Sequence, residues 1–136
     1  MKSKISILLA VLALVASTLA CSLGGSLALD NARMAFDSEG KNVTTSFSPS
    51  DVFYVVADLS NAPVGTVVDA KWAAVSVSGL SPNEVFFEQS LTNDEEGFTG
   101  TVYFQLFNDS LWPTGTYKVE LYLNGTLSQT VTFTVQ

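Results

Sequence analysis

The sequence predicts an all-β fold, an antiparallel β-sandwich of about seven strands behind a signal-peptide helix. Three observations predict it. Apolar and polar residues alternate with period two in run after run, and a 3.6-residue period is sustained only in the first 20 residues. Clusters of Gly, Pro, Asn, Asp and Ser interrupt these runs about every 8–15 residues, the spacing of short strands in a sandwich. The closing stretch, residues 111–135, reads as two strands around a two-residue turn.

That hairpin is the firmest local assignment. Asn124-Gly125 supplies the positive φ that both central residues of a type I′ turn require. Before it, Tyr117, Val119, Leu121 and Leu123 share one face, with Lys118, Glu120 and Tyr122 on the other. After it, Val131, Phe133 and Val135 alternate with Thr130, Thr132 and Thr134, and β-branched Thr suits a solvated strand face. Pro113 and Gly115 mark the turn into the first of these strands.

The other strands follow in chain order. From Asn31, residues Ala32, Met34 and Phe36 alternate with Arg33, Ala35 and Asp37, and residues 43–47 extend the same edge after a turn at 38–42. In 52–59, Phe53, Val55, Ala57 and Leu59 share one face. In 66–77, Val68, Ala70, Trp72 and Ala74 are in register, with Asp69 and Lys71 opposite. Residues 84–91 form a fourth strand, 92–97 an acidic turn, and 99–108 a fifth strand with Val102, Phe104 and Leu106 on one face.

The N-terminus reads as an export signal. Lys2 and Lys4 precede an apolar run over 5–16, too short for a comfortable membrane span, and small residues follow it. Residues 1–20 are thus a signal peptide, 21–30 a tether containing Ser22 to Ser26, and 31–136 the globular domain. Cys21 is the only Cys, so no intramolecular disulfide is available. Cys21 directly after Ala20 resembles a bacterial lipobox, which implies lipidation of Cys21 and cleavage between Ala20 and Cys21. Thr18 stands where that pattern commonly has Leu. The alternatives are a secreted protein with an incidental Cys and an uncleaved N-terminal anchor. The expected location is outside the cell membrane, anchored by lipid to the outer face of the membrane or envelope, and the uncleaved reading faces the same compartment.

Beyond the signal, four basic residues face thirteen acidic ones, a net charge of −9. That balance argues against nucleic acid or an anionic membrane surface as an electrostatic partner. About 110 residues bury roughly 65% of their unfolded surface, enough for one core without disulfides.

Trp72 on the third strand falls where immunoglobulin-like domains bury a Trp between the sheets, and Tyr117 where they often carry a corner Tyr. The entry through Ser46-Phe47-Ser48-Pro49 to Ala62-Pro63, the Lys71-Trp72 strand and the closing Trp112-Pro113-x-Gly115-x-Tyr117-x-Val119 hairpin resemble a group of bacterial lipoproteins with one immunoglobulin-like domain. The resemblance spans nearly all of the chain after the signal. It implies a fold and a location, and it carries over no activity and no site residues.

Catalysis fails on inventory. Without His there is no Ser-His-Asp or Cys-His arrangement, and the reading is of a protein that is not an enzyme and uses no cofactor. Asp94, Glu95 and Glu96 are the one candidate for a metal, as oxygen donors for Ca²⁺, but consecutive acids in a turn ordinarily form a solvated loop. Tyr54, Tyr103, Phe107 and Tyr122 lie opposite the inferred core, and Trp112 heads the hairpin. These five are the candidate contacts for a protein or carbohydrate ligand, weighed against cross-strand pairing and, for Trp112, a cap on the core. Asn42, Asn108 and Asn124 begin N-glycosylation sequons, which the bacterial-type leader makes coincidental. The expectation is a membrane-anchored, non-enzymatic binding or adhesion module, with a structural accessory subunit of an envelope complex as the alternative.

Overall fold

The computed structural model describes residues 25–136. The signal, Cys21 and the start of the tether lie outside them. Eight strands follow one another: β1 (Ala28–Ala35), β2 (Ser46–Phe47), β3 (Phe53–Ala62), β4 (Val67–Val77), β5 (Val85–Thr92), β6 (Phe98–Leu106), β7 (Gly115–Leu123) and β8 (Thr126–Val135). They form a three-stranded sheet in the order β1-β3-β6 and a five-stranded sheet in the order β2-β8-β7-β4-β5. All pairings are antiparallel except β2 with β8.

The expected all-β, two-sheet architecture is present, with eight strands in place of seven. The added strand is β2. The sequence reading extends residues 43–47 along the edge of strand one, but the chain changes sheets there. Val43 bridges back to Ala35, and Ser46 and Phe47 then pair with Thr134 and Val135 of β8. Phe47 goes with them because its ring fills the core against Phe53 and Phe133. β1 also starts earlier than expected, at Ala28, inside the stretch read as tether. Leu29 is buried there opposite Leu59.

The period-two faces meet in one core. The three-stranded sheet contributes Leu29, Met34, Phe53, Val55, Ala57, Leu59, Val102, Phe104 and Leu106; the other contributes Val68, Ala70, Trp72, Ala74, Val119, Leu121, Phe133 and Val135. Burial of these side chains, each worth about 1.5–3 kcal/mol for a large aliphatic or aromatic group, drives the two sheets together. Trp72 is fully buried, as its place on β4 predicts.

Strand direction gives the domain two ends. At one lie the tether, the β3–β4 loop, the β5–β6 turn and the Asn124-Gly125 turn. Asn61 Nδ2 donates to Ser26 O there at 3.1 Å, Gly65 N–H donates to Asn93 O at 2.8 Å, and Asn93 N–H donates to Thr66 O at 2.8 Å. The far end carries the loops after β1, before β3, between β4 and β5, and before β7. Its core is aromatic: Tyr117 stacks on Phe133 at 5.5 Å and Trp112 on Phe53 at 4.9 Å, with Phe86 against both Trp112 and Tyr117.

Candidate functional site: the open seam between β5 and β6

The two long sides of the sandwich are finished differently. Along one, β1 lies over β8, and Ser128 Oγ and Gln129 Nε2 donate to Leu29 O at 3.4 and 3.2 Å. Along the other, β5 and β6 are the edge strands of their sheets and do not pair. Among the described residues, one β5 side chain hydrogen-bonds across that gap to β6. Gln89 Nε2 donates to Gln105 O at 2.8 Å, while its Oε1 accepts from Trp72 Nε1 at 2.8 Å.

Three shallow cavities run along this seam. At the tether end a 170 Å³ cavity is lined by Leu59, Val68, Leu91, Phe98 and Val102. In the middle, 380 Å³ lies beside Leu91, Val102, Tyr103 and Gln105. At the far end, 270 Å³ is lined by Phe86, Phe87, Gln89, Leu106, Phe107 and Trp112. The rim keeps large apolar side chains in water: Phe87 is 45% exposed, Tyr103 47% and Phe107 63%.

The five aromatic candidates do not form one platform. Tyr54 and Tyr103 are neighbours on the outer face of the three-stranded sheet, with ring centroids 6.2 Å apart, as β3–β6 pairing dictates. Tyr122 is on the outer face of the other sheet, where the Lys71 ammonium sits 4.6 Å from its ring centroid. Phe107 follows the end of β6 and joins the seam. Trp112 is half-buried, takes the core-cap position on Phe53, and fixes its loop by donating its backbone N–H to Pro49 O at 2.8 Å. Its indole N–H is buried and has no partner among the described residues.

The acidic turn has a structural role. Asn93 Nδ2 donates to Ala62 O at 3.0 Å and Pro63 O at 2.9 Å, and its Oδ1 accepts from Glu95 N at 3.1 Å, tying the β5–β6 turn to the β3–β4 loop. Asp94, Glu95 and Glu96 point into solvent, and among the described residues no three acidic side chains converge on a shared point. Asn124 likewise serves the fold twice: beyond its turn conformation, its Oδ1 accepts from Val67 N at 2.9 Å.

Sequence reasoning passed over Gln89 and Phe87. Gln89 sits on a strand face with Phe87 and Leu91, and a polar residue amid inward-facing apolar ones was the available signal. Arg33 was also missed. It is a half-buried hub whose guanidinium meets Asp58 Oδ1 at 3.4 Å and the carbonyls of Asn31 and Gly40 at 2.8 and 3.3 Å.

No family model matches the sequence, and no curated protein resembles it in sequence. In three dimensions the chain is similar to parts of larger proteins. An alkylpurine DNA glycosylase of Pseudomonas fluorescens, bound to DNA containing an abasic-site analogue, matches with a TM-score of 0.54 at 15% identity, over 84% of this chain and 31% of that one. A β-glucosidase of Erythrobacter marinus matches with 0.55 at 16%, over 82% and 15%. A β-glucosidase of Listeria innocua matches with 0.52 at 14%, over 81% and 16%. The chain thus spans less than a third of each of these proteins, and at such identities the likeness is one of fold alone.

Proposed function

We propose that this protein is a non-enzymatic binding or adhesion module, held at the outer face of the cell membrane or envelope by a lipid on Cys21 and built on an immunoglobulin-like sandwich. The fold reading is supported by the strand orders β1-β3-β6 and β2-β8-β7-β4-β5, which correspond to A-B-E and A′-G-F-C-C′ of such domains. It is also supported by Tyr117, whose hydroxyl donates to Pro113 O at 2.6 Å as a corner Tyr does.

The observation that carries the functional reading is the open seam, where Phe87, Tyr103 and Phe107 stay exposed beside an unpaired strand edge. Apolar side chains grouped on a monomer's surface are interaction sites in the making, and aromatic anchors dominate binding energy. A short tether leaving the opposite end from Phe107 turns the aromatic end of the seam away from the membrane.

The test is binding of the full chain to a glycan array and to envelope extracts. Phe107→Ala and Tyr103→Ala are expected to weaken the signal at unchanged melting temperature. A signal indifferent to both removes the seam from the proposal. Incorporation of a lipid analogue, lost in Cys21→Ser, tests the anchor. The accessory-subunit reading rests on the unpaired β5 edge, and recovery of one stoichiometric crosslinked envelope partner favours it.

A further inference from the structure

Resting on the binding-module reading, we propose that the β5 edge takes an extended, basic peptide strand, which adds to the five-stranded sheet and closes the seam.

The edges of the two sheets are not equally protected. β2 is two residues long, and β1 is broken by a bulge between Asp30 and Arg33. On β6, the carbonyl of Gln105 is already occupied by the Gln89 amide. Short edges, bulges and covered backbone groups are how proteins prevent strand addition. On β5 the single irregularity lies near its start, between Val85 and Phe87, and pairing with β4 from Phe87 to Thr92 is regular. That stretch contains no Pro, Gly or Lys. Its outward row of N–H and C=O groups is free for a partner strand.

Charge selects the partner. From Trp72 to Tyr117 the chain has no Lys or Arg, but it carries Glu84, Glu88, Asp94, Glu95, Glu96 and Asp109. Both seam strands and the loops that connect them to their neighbours in sequence fall inside this stretch. Two cations of the sheet come near β5, and both have partners: Lys71 lies opposite Glu88 on the outer face and is held over Tyr122, and Lys118 Nζ donates to Asn83 Oδ1 at 2.8 Å beside Glu120. On β5, Phe87 and Leu91 face the seam while Glu88 and Ser90 face outward, because their partners Trp72 and Val68 are buried and Lys71 and Asp69 are not. A strand added to β5 alternates in the same way. Its apolar side chains lie over the seam beside Phe87 and Leu91, and its basic side chains lie beside Glu88. A peptide alternating Lys with Val or Phe satisfies both faces. A second copy of this acidic chain would bring Glu88 against like charge.

The probe is a labelled ten-residue peptide alternating Lys with Val and Phe, titrated into the full chain in neutral detergent and followed by anisotropy and amide hydrogen exchange. We expect saturable binding that slows exchange at β5 amides. The same peptide with Glu for Lys, or with a central Pro, should bind at least about tenfold more weakly, as should the basic peptide to Glu88→Lys and Phe87→Lys. Glu88 is an exposed surface residue, so Glu88→Lys is the variant that keeps the fold. Peptide binding that leaves β5 exchange unchanged, or that is equal for the Glu version, overturns the inference. So does β5 protection that rises with protein concentration in the absence of peptide, the signature of a second copy. A glycan signal lost in Tyr103→Ala, with no peptide binding, overturns the peptide strand and leaves the binding module standing. Absence of both signals removes the module as well.

Discussion

Trp72 Nε1 donates to Gln89 Oε1 across 2.8 Å, and this bond joins the buried centre of β4 to the edge strand β5. Gln89 then reaches Gln105 O on the opposite sheet, so one side chain satisfies a buried indole and spans the seam. Gln89→Ala strands the Trp72 N–H in the core, which costs about 1–3 kcal/mol. The expected result is a lower urea midpoint and a shift in indole fluorescence, together with faster amide exchange in β5 and β6. Gln89→Glu keeps the acceptor for Trp72 but loses the donor to Gln105, so it should separate the two bonds.

Tyr117 gives a second prediction. Its ring stacks on Phe133 and its hydroxyl donates to Pro113 O at 2.6 Å, pinning the turn to the start of β7. Tyr117→Phe keeps the stacking and removes one hydrogen bond, a loss of roughly 0.5–1.5 kcal/mol. Burial raises the phenol above its ordinary 10.0. A raised value means that its contribution is complete below the unfolded pKa and is lost as pH rises through the folded one. Alkaline unfolding midpoints of the wild type and Tyr117→Phe should therefore converge above that range.

Two glycines are expected to resist substitution for different reasons. Gly125 has φ of +84° in the hairpin turn with open space around it, so Gly125→Val is strained by backbone conformation alone, at about 1–3 kcal/mol. At Gly115, with φ of +149°, an added Cβ would also strike the carbonyl oxygen of Ser76 on the neighbouring strand. Gly115→Ala should lower the melting temperature more than Gly125→Ala does. An unchanged melting temperature in Gly125→Val would contradict the register of β7 and β8.

Asp37 sets an acid dependence. The backbone N–H groups of Lys41 and Asn42 donate to its carboxylate at 3.0 and 2.7 Å, joined by Glu39 at 3.0 Å, and they hold its pKa below the ordinary 3.8. A depressed carboxylate contributes above the unfolded pKa, and the contribution fades as pH falls through the folded value. The protection factors of the Glu39, Lys41 and Asn42 amides, relative to their intrinsic exchange rates, should fall as pH drops through that point. In Asp37→Asn these amides should be less protected at neutral pH and lose little more on acidification.

Much of the fold is legible in the residues because it is local. Alternation placed Phe53, Val55, Ala57 and Leu59 on the core face, and Trp72 and Val119 likewise, since strand periodicity is fixed by backbone geometry. The Asn124-Gly125 turn followed from the φ values those residues tolerate. Alternation could not reveal that the chain leaves one sheet for the other between Val43 and Ser46. Both courses give the same pattern, and only the room for the Phe47 ring among Phe53 and Phe133 decides between them.

The candidate site was legible only in its ingredients. The sequence by itself determined which aromatics leave the core faces and that the domain is acidic, because face and charge are properties of single residues. Tertiary structure decided the rest, because sheet order is set by long-range pairing that no local pattern encodes. It separated Tyr122 from Tyr54 and Tyr103, gave Trp112 to the core, and made edges of β5 and β6. That last step brought Phe87, Gln89 and Phe107 together along one seam.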